Sequence, residues 1–142
     1  MPSNLSIALA MILAVETPSM NPQAIGDLHL PEPRRSFGRC QIRKPVIDDL
    51  NMWRAKGAGY EWNRQDSMNP QLDVLMAAYW LRMRAGEGAS INRYLSTWNG
   101  GRQGRNSPQA QAYVKRAYRV RAARPEHYAK CVKESRRIVC QK

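Results

Sequence analysis

One carboxylate of this chain stands apart from the other residues that could do chemistry. Glu16 closes the apolar run "LSIALAMILAVE" and is the first charged residue of the chain. At the end of a helix it faces the partial negative charge of unpaired carbonyls, a poor place for an anion. Two readings are open. Glu16 is either a solvated residue at a helix end or a partly desolvated carboxylic acid, with a pKa raised enough to donate a proton. The candidates for a second carboxylate are Asp27, Asp48, Asp49, Asp66 and Asp73. Asp48 and Asp49 fall in what reads as the first turn of a helix, where Asp is favourable whatever the function. Asp66 precedes a cap. Asp27 lies in a long loop and is the aspartate to test as a hydrolytic partner. Cys40, Cys131 and Cys140 match no zinc spacing, His29 and His127 are far apart, and there is no glycine-rich phosphate loop. No metal or cofactor is expected. On one straight helix Cys131 and Cys140 would be about 13 Å apart, so they could pair only if the segment folds back, and free buried thiols are expected.

The elements that must position Glu16 are helical. Leu5, Leu9, Ile12 and Leu13 share one face of the first run, with alanines between them, and Ser3 or Asn4 can cap its start. No Lys or Arg precedes Arg34, so the cationic region of a cleavable signal peptide is missing. The run is also shorter than the roughly 20 residues needed to cross a bilayer. It reads as a buried helix. Residues 17–38 are a proline-rich loop, long enough to suggest function and with room for a small β-hairpin. A helix is expected from Pro45 to Gly57 or Gly59, followed by a loop, "GYEWNRQDSMN". Asn69 and Pro70 should start the next helix, with Leu72, Leu75, Met76, Tyr79 and Met83 on its inner face and Gly86 at its end. Ser90 should cap a helix carrying Ile91, Tyr94, Leu95 and Trp98 on one stripe and stopping at "NGG". Ser107 and Pro108 start another, and Pro125 a last basic one with Tyr128, Val132 and Val139. The fold class is mainly α.

With 142 residues the chain fits one domain and can bury a core without metals or disulfides. The net charge of +12 favours polyanionic partners without choosing among nucleic acid, acidic lipid and cell-wall polymers. No helix-turn-helix or RNA-binding signature accompanies it, so a specific nucleic-acid partner is not expected.

The motifs "AVET", "SFGRCQI", "NPQLDVLMAAYWLR", "YLSTWNGG" and "AYVKRAYRV", in this order over about residues 5 to 120, resemble the lysozyme-like lytic transglycosylases. The resemblance implies a goose-type lysozyme fold over residues 1–124; residues 125–142 lie outside it and are expected to be a basic helical extension packed on the same domain. It implies that Glu16 is the catalytic acid, that Gly38, Gln41 and Ile42 form the turn beside it, and that Gln41 lines a sugar-binding cleft. Asn99 would help to hold the substrate, and Tyr113 would hydrogen-bond near the acid. Tyr79 and Trp98 join the implied substrate-binding set, although periodicity alone makes Tyr79, Trp98 and Tyr113 core aromatics and Asn99 a helix stop. The chain departs from the family at Thr17, Arg39, Cys40, Trp98 and Gly100.

The implied reaction cleaves the β-1,4 bond between N-acetylmuramic acid and N-acetylglucosamine in peptidoglycan. One Glu protonates the leaving oxygen and then takes a proton from the sugar's own 6-hydroxyl, giving a 1,6-anhydro product without consuming water. The alternatives are a hydrolytic muramidase, which needs a second carboxylate, and a catalytically silent basic protein that binds the wall. The expected partners are peptidoglycan strands and anionic envelope polymers. Action at the wall without a leader suggests a phage-associated enzyme, in the virion or released at host lysis.

Overall fold

The uncharged run folds as α1 (Asn4–Glu16) and becomes the centre of the molecule. The computed structural model describes residues 3–54 and 57–139, the last two of these by backbone alone. Ser3 is the N-cap: its side chain accepts from the Ser6 backbone N–H at 3.1 Å, satisfying one of the orphan donors of the first turn. Leu5, Ser6 and every residue from Ala8 to Val15 are buried, so the helix is enclosed all round rather than on one face. The helices Asp73–Ala85, Ile91–Gly104, Pro108–Ala123 and Pro125–Val139 supply that enclosure.

The long loop contains a small hairpin, for which the sequence left room, β1 (Ile25–Gly26) and β2 (Ser36–Phe37), antiparallel with Ile25 opposite Phe37. It ends in a tight turn at Gly38, whose φ of +81° suits glycine. A Cβ there would lie 1.9 Å from the Ser67 carbonyl oxygen.

Helix α2 runs Lys44–Trp53, shorter than expected. Because the helix starts one residue before Pro45, Asp48 and Asp49 fall in its second turn and not its first, and Asp48 pairs with Lys44 at 2.7 Å. The segment read as loop contains a short helix, α3 (Arg64–Ser67), with Asn63 as cap and Asp66 completing a capping box. Helix α4 (Asp73–Ala85) begins three residues later than Pro70, because residues 69–72 form a separate turn, and ends at Gly86 as expected. Its buried face is a correction to the sequence reading. Val74, Met76, Ala77, Ala78, Trp80, Leu81 and Ala85 are inside, whereas Tyr79 and Met83 are exposed. Helix α5 (Ile91–Gly104) breaks at Gly101, with φ +70° and ψ −175°, at the "NGG" stop. Helix α6 (Pro108–Ala123) starts from Ser107, as its cap residue type indicates.

Helix α7 (Pro125–Val139) packs along α1. Tyr128, Cys131 and Ser135 face inward, and the Ser135 hydroxyl donates to the Ser6 carbonyl at 3.0 Å. Cys40 and Cys131 are free buried thiols. Cys140 and the side chain of Val139 lie outside the described residues. The molecule is thus mainly helical with a two-stranded sheet. No helix among the described residues is long and apolar enough to cross a membrane.

Candidate active site

Glu16 is the last residue of α1, held where the central helix meets the hairpin. Thr17 fixes that junction. It is buried, and its hydroxyl donates to the Arg39 carbonyl at 2.6 Å, with the Gly38 carbonyl at 3.3 Å. The helix end and the turn after β2 are therefore tied together one residue from the acid.

Around Glu16 is a cleft of about 380 Å³. Asp27, Ser36, Gln41 and Arg43 line it from the hairpin region, and Val46 from the start of α2. Trp98 and Asn99 line it from α5, and Tyr113 and Arg116 from α6. Four separate segments thus converge on one carboxyl group. Burial raises the Glu16 pKa from its ordinary 4.5 to about 7, with a smaller contribution from Asp27. Arg116 and Arg43 oppose this rise without cancelling it. A carboxyl group poised there exchanges its proton near neutral pH, which suits general acid–base catalysis.

The partners are held rigidly. Gln41 donates from Nε2 to the Gly38 carbonyl at 2.9 Å and accepts the Ser36 hydroxyl at 2.7 Å. Its backbone is left-handed, with φ +55°, as is that of Asp27. Such a conformation costs an ordinary residue roughly 1–2 kcal/mol, so the surrounding hydrogen bonds must over-determine it. Asp27 accepts from Arg43, whose guanidinium lies 2.9 Å from Oδ2. Tyr113 is buried, and its hydroxyl has no hydrogen-bond partner among the described residues. Burial first, and then the nearby Glu16, push its pKa well above the usual phenol value, so it stays protonated. Trp98 both packs and lines the cleft: its ring meets Trp80 edge to face with centroids 5.7 Å apart.

Of the residues read from the sequence, the structure brings Glu16, Gln41, Trp98, Asn99 and Tyr113 together, with Asp27 beside them. Three others are placed differently. Gly38 shapes the turn and does not line the cleft. Ile42 is fully buried in the core. Tyr79 lies in a separate groove with Tyr60 and Trp62, its ring centroid 6.5 Å from that of Trp62, because α4 turns the opposite face inward. Arg39 and Cys40, the departures in the turn, are buried away from the cleft. The Arg39 guanidinium meets Asp73 at 2.7 and 2.9 Å and Glu134 at 2.6 Å.

Sequence reading missed Ser36, Arg43, Val46 and Arg116. For Arg116 a signal exists: it follows Tyr113 by three residues on α6, the spacing that puts two side chains on one helix face. Among the described residues no group of three or more His, Cys, Asp or Glu is placed to hold a metal ion. Comparison with protein-family models, curated proteins and solved structures finds no match for this chain.

Proposed function

We propose that the protein has a lysozyme-like fold and is a lytic transglycosylase, cleaving the glycan strands of peptidoglycan with Glu16 as the general acid and base. The observation that carries the reading is a single carboxyl group raised to about 7 by burial, in a cleft that is also lined by amides, a phenol and a half-buried indole. Glu16 first protonates the glycosidic oxygen as the bond to the muramyl anomeric carbon breaks. The resulting carboxylate then accepts the proton of that sugar's 6-hydroxyl as its oxygen closes on the same carbon. Gln41 and Asn99 offer amide groups for hydroxyl and N-acetyl oxygens, and the Tyr113 hydroxyl offers a donor without a competing partner. The setting in this proposal is the bacterial wall, reached from a phage particle or at host lysis.

Hydrolysis is the second reading, and Asp27 favours it by lining the same cleft. Its carboxylate is engaged by Arg43, which lowers its value as a base for water. One experiment separates the two. Purified wall is digested with wild-type protein, Glu16→Gln and Asp27→Asn, and the muropeptides are weighed by mass spectrometry. Glu16→Gln should lose about a hundred- to ten-thousand-fold in rate. Asp27→Asn should keep most activity, and the products should carry 1,6-anhydromuramic ends. Reducing-end products with both variants inactive would make the enzyme a muramidase. Full activity of Glu16→Gln would remove the proposal.

A further inference from the structure

The cleft holds more positive charge than a proton donor needs. Arg43 and Arg116 both line it, and both draw Glu16 toward its ionised form, which opposes its use as an acid. Arg43 is neutralised locally by Asp27 at 2.9 Å. The Arg116 guanidinium makes no ion pair or hydrogen bond among the described residues. Its guanidinium carbon lies 5.8 Å from the centroid of the Tyr113 ring, one helical turn away on α6. The same tyrosine presents a buried hydroxyl without a partner. One face of α6 therefore brings an unpaired cation to the cleft beside a tyrosine whose buried hydroxyl is unpartnered among the described residues.

We propose that Arg116 recognises a carboxylate carried by the muramyl sugar, so that the cleft selects anionic wall glycan over neutral glycan of the same linkage. This rests on the glycan-cleaving reading given above. A guanidinium presents a planar fork of donors that matches a carboxylate, and contact with an aromatic ring restricts that fork before the ligand arrives. Peptidoglycan supplies the anion in two ways. Where the peptide has been removed, the lactyl group ends in a free carboxylate. Where the peptide is present, that carboxyl is an amide and the peptide's own carboxylates take its place. A neutral chitin-type strand has neither. An anion bound at Arg116 also screens its charge from Glu16, so the acid holds its proton more firmly when the anionic substrate is in place.

The test is a binding measurement on Glu16→Gln protein, so that turnover does not interfere. Three soluble oligosaccharides of equal length are titrated calorimetrically at low salt: neutral β-1,4-linked N-acetylglucosamine, wall glycan stripped of peptide, and peptide-bearing wall glycan. The protein should prefer a carboxylate-bearing strand to the neutral one. Adding Arg116→Gln should reduce that preference about tenfold, the scale of a charge-assisted hydrogen-bond pair. Adding Arg116→Lys should retain part of it, since the charge remains. Preference for stripped glycan assigns the lactyl carboxylate as the ligand, and preference for peptide-bearing glycan assigns the peptide. Arg116 is exposed, so neither substitution removes core packing. An unchanged preference in Arg116→Gln, with all glycans still binding, would overturn the role of Arg116 alone. Absence of binding to every glycan would overturn it together with the proposed function.

Discussion

Replacing Glu16 by Gln should make the protein more stable, and by an amount that depends on pH. A carboxyl group whose pKa rises on folding is held in a place that disfavours its ionised form. Below its unfolded value of 4.5 the group is neutral in both states and contributes no penalty. As pH rises through 4.5 the unfolded chain ionises first, and the folded protein loses stability until the folded group also ionises near 7. Above that the full penalty stands. The rise from 4.5 to about 7 corresponds to about 3 kcal/mol, a large share of a small domain's stability. Gln has nearly the same shape and no charge to desolvate. Urea denaturation of both proteins between pH 4 and pH 8.5 gives the difference directly, because every other titrating group is common to the two. At pH 4 the difference should be a constant offset from the amide's own contacts. By pH 8 it should have moved about 3 kcal/mol in favour of Glu16→Gln. A difference that changes by less than about 1 kcal/mol over this range would refute the desolvation argument, and with it the reason for regarding Glu16 as a proton donor at neutral pH.

Two further outcomes concern the frame around the acid. Gly38→Ala should destabilise by more than about 2 kcal/mol, because it adds an unfavourable positive φ to a clash with the Ser67 carbonyl; thermal unfolding measures it, and a change below about 0.5 kcal/mol would show that the turn relaxes freely. Asp73→Asn should cost about 3 kcal/mol or more, since it leaves the buried Arg39 guanidinium without the fully buried carboxylate that accepts two of its hydrogen bonds. Denaturant titration reads that loss, and a neutral outcome would mean that Glu134 and the Pro70 carbonyl suffice.

What could be read in the sequence followed from how local its cause was. The Ser90 and Ser107 caps and the starts at Pro108 and Pro125 depend on a few neighbouring residues, and they stand where the sequence put them; of Ser3 and Asn4, the two residues that could cap α1, Ser3 is the cap. The inward face of α4 did not. "DVLMAAYWLRMRA" offers apolar side chains on more than one stripe, so its period does not fix a direction. The stripe through Tyr79 and Met83 has the larger residues, but the structure buries Ala77 and Ala78 beside Trp80 and Leu81. The Arg39–Asp73 pair spans 34 residues, and nothing local announces it. For the candidate site, Glu16, Asp27, Gln41, Trp98, Asn99 and Tyr113 were named from sequence and share the cleft. Arg43 and Arg116 were passed over because exposed arginines in a chain of net charge +12 read as solvated surface.

The last eighteen residues show how far from the acid its support extends. They lie beyond the motifs that suggested an activity, and the sequence presents them as a basic extension. In the structure α7 lies along α1, with Cys131 and Ser135 buried against it. Glu134 reaches the Arg39 guanidinium, which in turn holds Asp73 at the start of α4. The backbone carbonyl of the same Arg39 accepts the hydroxyl of Thr17, the residue after Glu16. A chain of direct contacts therefore runs from the C-terminal helix through one buried arginine to the end of the central helix. The turn also has its own backbone hydrogen bonds, Phe37 with Ile42 and Gln41 with Gly38, and the arginine ties that turn to α4 and α7. An acid at the end of a helix is only as well placed as that end. Here the placement depends on α4, α7 and the hairpin acting through the same residue, which explains why a buried charge stands in a turn that an apolar residue would otherwise fill.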